Sequence, residues 1–307
     1  MNVRVIVDEI IKFIKEEVGS NLAISALSGG VDSTTATVLA RKALGEKVIP
    51  VFVDTGLLPY GEIGHIKKLS RDLNIPVKII NASNEFFRAL KGVTDPELKR
   101  KIIGETFIRV FERIAEDHGA KCLIQGTIAP DWIESKGGIK SHHNVGGLPK
   151  EIKLKIVEPL KNFYKDEVRE IARYIGIPEY VINKKPIPGP ALAVRILGEV
   201  TPEKIEIVRK ATKIVEEEMM KTGLDFWQAF AVLLPIRTVG VRGDIRAYEW
   251  TIAVRIVNST DGMTANFSKV PWEVLERISS RITSEVPHIG RVLYDITNKP
   301  PATIEFE

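Results

Sequence analysis

Leu22-Ala23-Ile24-Ser25-Ala26-Leu27-Ser28-Gly29-Gly30-Val31-Asp32-Ser33 is the stretch that decides the fold. Leu22–Leu27 is short and apolar, as a buried strand should be. Two glycines follow, then a helical pattern over Ser33–Leu44. Strand, glycine turn and helix start together make the setting of an anion-binding turn. Glycines let the backbone approach an anion closely, successive N–H groups form a concave nest, and the helix adds its positive end. Ser28, Gly29, Gly30, Val31, Asp32, Ser33 and Thr34 are therefore candidate nucleotide-phosphate contacts, with hydroxyls offered by Ser28, Ser33 and Thr34. Asp32 cannot favourably face bare phosphate, so it is a candidate ligand for a phosphate-bridging magnesium ion. No Gly-Lys-Ser/Thr follows, which separates this turn from the P-loop of kinases and GTPases.

Outward from this turn, Lys47–Asp54, Val77–Ala82, Lys121–Thr127 and Lys155–Pro159 read as further buried strands. Helical patterns over Gly61–Leu73, Asp95–His118 and Lys165–Gly176 separate or follow them. Such alternation predicts an α/β unit with a parallel, doubly wound sheet covered by helices. Met1–Gly19 reads as a first amphipathic helix, with Ile6, Ile10, Phe13, Ile14 and Val18 on one face. The Pro-rich run Lys184–Pro190 marks a stiff connector. Beyond it, Thr201-Pro202 starts a helix, and antiparallel-looking strands follow at Phe230–Leu234, Thr238–Val241, Tyr248–Val257, Val292–Ile296 and Thr303–Phe306, with a helix over Trp272–Ser284. The expected division is 1–185 and 186–307, the second being a smaller α+β domain.

Of the 307 residues, 44% are hydrophobic and 27% charged, a globular composition. The net charge, 44 − 40 = +4, is mild, and acidic and basic residues are interspersed. That pattern argues against a nucleic-acid-binding module and suits an enzyme that holds polyphosphates. No apolar run approaches the roughly 20 residues that span a bilayer, so no membrane partner is expected. The single cysteine, Cys122, lies in a predicted buried strand; a reducing, cytoplasmic location and a packing role follow. His142 and His143 have no second ligand pair at zinc spacing.

The glycine turn resembles the pyrophosphate loop of the N-type ATP pyrophosphatases, the adenine nucleotide alpha hydrolase-like group that cleaves ATP between the α and β phosphates. Several enzymes share that loop; the rest of the chain narrows the choice. Val51-Phe52-Val53-Asp54-Thr55-Gly56-Leu57-Leu58, Lys99-Arg100-Lys101-Ile102-Ile103-Gly104, Gln125-Gly126-Thr127 and Ile139-Lys140-Ser141-His142-His143-Asn144-Val145-Gly146-Gly147-Leu148-Pro149 occur in the order found in GMP synthetases. So do Val157-Glu158-Pro159-Leu160, Lys165-Asp166-Glu167-Val168-Arg169, Pro188-Gly189-Pro190, Pro235-Ile236-Arg237-Thr238-Val239-Gly240-Val241 and Lys299-Pro300-Pro301-Ala302-Thr303-Ile304-Glu305. The chain is similar to that family over nearly its whole length beyond the first helix. It departs at Thr55, usually Asn; at Pro59, usually Arg; and at Ala191, where Gly usually follows Pro-Gly-Pro.

The resemblance implies ATP and Mg2+ as co-substrate and cofactor, with Val53 and Gly126 as further ATP-binding positions. It implies that O2 of XMP attacks the α-phosphorus of ATP, and that ammonia then displaces AMP from C2 to give GMP. It places Asp131 near ATP and magnesium, Glu134 in lid or catalytic contacts, and Lys140 on a lid over Lys136–Pro149, where it would neutralise departing pyrophosphate. As bare residues, Asp131 and Glu134 could equally cap the next segment, and the long loop could be merely solvated. The XMP contacts implied are Arg100, Lys299, Thr303, Ile304 and Glu305, although Thr303–Phe306 alone also reads as an edge strand. The chain resembles the two-subunit form, so a separate glutamine amidotransferase subunit is the expected ammonia source, and the second domain is the expected homodimer contact. A tRNA-thiolating enzyme of the same group would need paired reactive cysteines, which one cysteine cannot supply; NAD synthetase remains as an alternative, separable by substrate.

Overall fold

The computed structural model describes residues 2–131, 153–260 and 262–307. The chain divides into two units, Met1–Ala89 with Arg100–Gly189, and Leu90–Lys99 with Pro190–Glu307. The break thus falls after Gly189 rather than Lys185, and the second unit also takes in a short segment from the first half.

In the first unit, helices α1 (Val3–Val18), α2 (Val31–Leu44), α3 (Glu62–Asp72), α4 (Ser83–Ala89) and α5 (Pro96–His118) alternate with strands β1 (Ala23–Ala26), β2 (Val48–Asp54), β3 (Lys78–Asn81) and β4 (Cys122–Ile124). After the undescribed stretch come β5 (Lys155–Val157), α6 (Lys165–Tyr174) and α7 (Glu179–Ile182). The five strands form one sheet in the order β3-β2-β1-β4-β5, every neighbouring pair parallel. The strand order reverses between β1 and β4, and ligands of open α/β sheets bind outside the carboxyl ends of the strands at such a switch. The parallel doubly wound sheet expected from the alternation is present.

Packing follows from the sequence periods. On α1, Val7, Ile10, Ile14 and Val18 are buried at helical spacing, each contributing about 1.5–3 kcal/mol. They join a core with Ala36, Leu39 and Ala40 of α2, Val168, Ile171 and Ala172 of α6, and Val181 and Ile182 of α7. Helix α2 is rich in threonine, a weak helix former, yet it holds. Thr35 Oγ1 donates to Val31 O at 2.7 Å, and Thr37 Oγ1 to Ser33 O at 2.7 Å. With its one proton committed, Thr37 Oγ1 accepts from buried Ser25 Oγ of β1 at 2.7 Å, tying strand to helix.

The second unit has α8 (Pro202–Met220), capped by Thr201 Oγ1 accepting from Lys204 N at 3.3 Å. Strands β6 (Gln228–Arg242), β7 (Ile245–Asn258), β8 (Asn266–Phe267) and β9 (Ile289–Tyr294) follow, with α9 (Trp272–Glu285) before β9. The two strands expected at Phe230–Leu234 and Thr238–Val241 are one. Pro235 has no N–H for a ladder, and the register shifts between Leu233 and Arg237 instead of ending the strand. The expectation of all-antiparallel pairing also needs correction. β9 runs parallel to β7, because α9 carries the chain back across the sheet before β9 enters.

Candidate active site

β1 ends at Ala26, and Leu27 N still donates to Val51 O at 2.9 Å, so the turn leaves from the carboxyl edge of the sheet. Gly29 adopts φ +79°, and a Cβ there would lie 2.7 Å from Ile66 Cδ1 and 3.0 Å from His65 Cδ2. Only glycine meets both the dihedral and the space. Gly30 is the N-cap of α2, with no side-chain cap, and the helix starts at Val31, two residues earlier than expected. The uncapped first turn leaves its N–H donors and the positive helix end available to an anion. Ser33 Oγ folds back, accepting from Ser28 N at 3.1 Å and meeting Ser28 Oγ at 2.8 Å. Thr34, by contrast, is wholly buried with its hydroxyl unpartnered, so it does not share the open face of Ser28 and Ser33.

Asp32 is the electrostatic centre of this turn. Lys165 Nζ, at the start of α6, donates to Asp32 Oδ2 at 2.6 Å, while Asp32 Oδ1 is buried without a hydrogen-bond partner. Burial pushes the Asp32 carboxyl up; Lys165 opposes this, and the nearby Asp131 carboxylate reinforces it. Asp131 lies in the short helical stretch 129–131 after β4, and its Oδ2 accepts from Ile128 N at 3.3 Å. Two neighbouring carboxylates, one with an orphaned buried oxygen, make a donor set that a hard divalent cation would reconcile. The residues present therefore fit magnesium.

Two further groups shape the turn. A Cβ on Gly126 would lie 2.6 Å from Ser33 N and 2.7 Å from Asp32 C, so the segment after β4 rests directly on the start of α2. His65 Nε2 sits 2.8 Å from Gly29 O; a carbonyl only accepts, so Nε2 carries the proton. Burial pushes the His65 pKa down, and its ring meets Tyr180 edge-on at 5.7 Å. Val53 is buried on β2 beside Ile80 of β3. Thr55 Oγ1 accepts from Leu57 N at 3.1 Å and Asp54 Oδ1 from Gly56 N at 3.0 Å, two side-chain-braced turns at the end of β2. Arg100 is half-buried on α5.

In the second unit, the tail Lys299–Glu307 is not the edge strand that its alternation suggested. Ile304 and Phe306 do pack on Phe230, Val232 and Ala253. The backbone, however, pairs with a side chain. Arg255, fully buried, donates to Thr303 O at 2.9 Å, to Ile304 O at 3.4 Å and to Thr297 O, and pairs with Asp295 at 3.0 Å. Arg195 grips Glu305 with two bonds of 2.8 and 3.0 Å and stacks its guanidinium 3.9 Å from the Phe230 ring. Lys99, also fully buried, pairs with Glu307 and donates to Ile196 O at 2.7 Å. Burial pushes the Lys99 ammonium down, opposed by Glu307. Lys299 Nζ donates to Gly262 O at 2.7 Å, and its backbone exchanges hydrogen bonds with Ala265.

Three comparisons bear on this arrangement. The NAD synthase family model matches residues 4–105, and that of the GMP synthase C terminal domain matches 216–306. NMN synthetase from Francisella tularensis superposes with a TM-score of 0.51 at 17% identity, covering 67% of this chain and 85% of that one, a likeness of fold. A protein of Pyrococcus abyssi, named as one of the subunits of a glutamine-hydrolyzing GMP synthase, is 64% identical, with 100% of both chains covered. The chain belongs to this GMP synthase subunit family. Like-named proteins of Pyrococcus furiosus and Methanopyrus kandleri are 65% and 59% identical, covering 98% of this chain and 96% and 98% of theirs.

In this member of the GMP synthase family, the first unit brings together Ser28, Gly29, Gly30, Val31, Asp32, Ser33, Gly126 and Asp131. The second gathers Thr303, Ile304 and Glu305 around buried cations. Glu134 and Lys140 lie outside the described residues, as do His142 and His143. Sequence reasoning missed Lys165, His65, Arg195 and Arg255 as partners of these sites. Lys165 and Arg195 stand inside or beside the family-like motifs, but only the pairing distances say what they touch.

Proposed function

We propose that this chain is the synthetase subunit of a GMP synthase of two polypeptides, using ATP to adenylylate O2 of XMP and ammonia to aminate C2. The full-length 64% identity to a named subunit of a glutamine-hydrolyzing GMP synthase carries the reading. The first unit binds ATP in it, and the second binds XMP and forms a homodimer. Ammonia comes from a separate glutamine amidotransferase subunit.

The chemistry is leaving-group activation: the purine oxygen becomes a phosphate ester that ammonia displaces. The protein's share is positioning and charge stabilisation. The turn Ser28–Ser33 receives the β and γ phosphates on its N–H groups and hydroxyls. Asp32, with Asp131 beside it, holds magnesium, which when bound supplies charge neutralisation across the phosphates. The backbone at Val53 borders the adenosine, while Gly126 keeps the α2 start accessible. Glu134 and Lys140, outside the described residues, are assigned catalytic roles on family resemblance. Lys299 and the Thr303–Glu305 segment hold XMP; Glu305, gripped by Arg195, retains lone pairs for a substrate N–H. A dimer is supported by apolar side chains on the β6–β7 hairpin, where Val241, Ile245 and Tyr248 are 78, 75 and 65% exposed. The buried free thiol of Cys122 suits a reducing cytoplasm.

The test is incubation with ATP, Mg2+, XMP and ammonium, with quantification of nucleotides. AMP, pyrophosphate and GMP are expected in equal amounts, and glutamine should not replace ammonium unless an amidotransferase is added. ADP with inorganic phosphate, or AMP formation indifferent to XMP, would overturn the reading. Sedimentation should report twice the 34.2 kDa chain mass.

A further inference from the structure

We infer that His65 is a positioning residue of the phosphate turn, locking the peptide between Gly29 and Gly30 so that its N–H faces the phosphates of the bound nucleotide. The inference deepens the ATP reading above and rests on it. Two consecutive glycines leave the backbone with very little restraint, so the sequence of the turn does not by itself fix this peptide plane. Helix α3 supplies the missing restraint. His65, near the start of α3, donates its Nε2–H to Gly29 O at 2.8 Å. Its ring and the Ile66 side chain also close over the space where a Cβ of Gly29 would stand. Gly29 is thereby buried, while Ser28 beside it is exposed.

A planar trans peptide points its C=O and N–H in opposite directions, so holding Gly29 O against α3 turns the Gly30 N–H away from α3. That N–H meets Ser28 Oγ at 3.5 Å, on the side of the turn where the Ser28 and Ser33 hydroxyls stand. A bond of that length is at the weak limit, which leaves the donor open to a better acceptor such as a phosphate oxygen. A peptide turned the other way would put a carbonyl oxygen in its place and repel an anion. The imidazole serves here as a donor rather than as a charge. Burial pushes its pKa down; Lys184 and Lys68 reinforce this, while the Gly29 bond and Glu62 oppose it. The ring is set in turn by Tyr180, edge-on at 5.7 Å. Tyr180 donates its hydroxyl to Asp72 Oδ2 at 2.8 Å, and Lys68 Nζ lies 3.9 Å from its ring centroid.

Isothermal titration of the whole protein with pyrophosphate and with ATP, each with EDTA and with Mg2+, tests this. His65→Ala removes donor and ring, His65→Phe keeps a ring without the donor, and His65→Gln keeps an N–H at similar reach without the ring. His65→Ala and His65→Phe should each bind both ligands about three- to tenfold more weakly than wild type. His65→Gln should recover most of that loss. In turnover with XMP and ammonium, His65→Phe should raise KM for ATP by a similar factor and leave KM for XMP unchanged. Thermal melts report folding, and His65→Phe, which fills the same space, keeps the test available should His65→Ala unfold. Wild-type affinity in His65→Phe, a loss that His65→Gln does not restore, or an equal rise in KM for XMP would overturn the inference while leaving the ATP reading intact. Wild-type protein that binds neither ligand would overturn both.

Discussion

The two units build their candidate binding surfaces by different means. In the first, the phosphate turn is a local object: six consecutive residues, glycine at a positive φ, and a helix start with no side-chain cap. In the second, the tail that closes the chain is irregular, and its carbonyls and carboxylates are held by Arg195, Arg255 and Lys99 from far away in sequence. A turn of the first kind is stable wherever a strand and helix flank it. A tail of the second kind exists only once the cations are buried, because each isolated charge would be costly to bury without its partner. The difference teaches where each surface should break.

The largest effect is expected in the tail. Arg195→Met leaves the Glu305 carboxylate, 16% exposed, without its partner. Breaking such a pair costs about 3–5 kcal/mol. Denaturant unfolding should show that loss, and XMP affinity should fall while ATP affinity holds. Equal losses for both nucleotides would erase the contrast between the units.

Acid should also act on the second unit. Lys221, with Arg277 and Arg281, holds the buried Glu218 carboxyl down to about 2. A depressed carboxylate stabilises the fold above its unfolded pKa near 4.5, and that contribution drains as pH falls towards 2. Thermal melts between pH 6 and about 2 should show this decline, and Glu218→Gln should flatten it by starting from lower stability.

A smaller loss is expected in the phosphate turn. Gly126→Ala places a methyl against the Ser33 and Asp32 backbone, an overpacking of about 1–3 kcal/mol. Because the displaced atoms belong to the turn proposed to hold ATP, KM for ATP should rise while XMP affinity holds, the reverse of Arg195→Met.

The smallest concerns Ala191, which stands at φ +53° where the family usually has glycine. Ala191→Gly relieves about 1–2 kcal/mol of left-handed strain. It loses a buried methyl worth about 0.8 kcal/mol and adds backbone entropy to the unfolded chain of similar size. Melting should therefore shift by less than about 1 kcal/mol; a larger change would mean that this turn is tuned more finely than the others.

The same contrast explains what could be read in advance. β1, β2 and the glycine turn were legible because their signals are local: apolar runs of strand length, then glycine before a helix. Gly126 is a nucleotide position by resemblance alone; that a Cβ there would lie 2.6 Å from Ser33 N needed two loops brought together. The burial of the Thr34 hydroxyl was not legible, because sequence cannot say which hydroxyl of a first turn points inward. The Thr303–Phe306 alternation did report burial of Ile304 and Phe306, yet burial on alternate residues does not require a ladder when an arginine takes the carbonyls. The parallel pairing of β9 was invisible for a related reason: polarity patterns mark the faces of a strand and carry no direction.

By itself the sequence determined the parallel sheet, the glycine turn between strand and helix, and the family, since each rests on periodicity or on motifs a few residues long. Only the tertiary structure decided that Lys165 faces Asp32, that Asp131 stands close enough to raise the cost of charging Asp32, and that Arg195, Arg255 and Lys99 clamp the tail. Charges act through space at a few ångströms, and residues separated by as much as Lys99 and Glu307 acquire that distance only when the chain has folded.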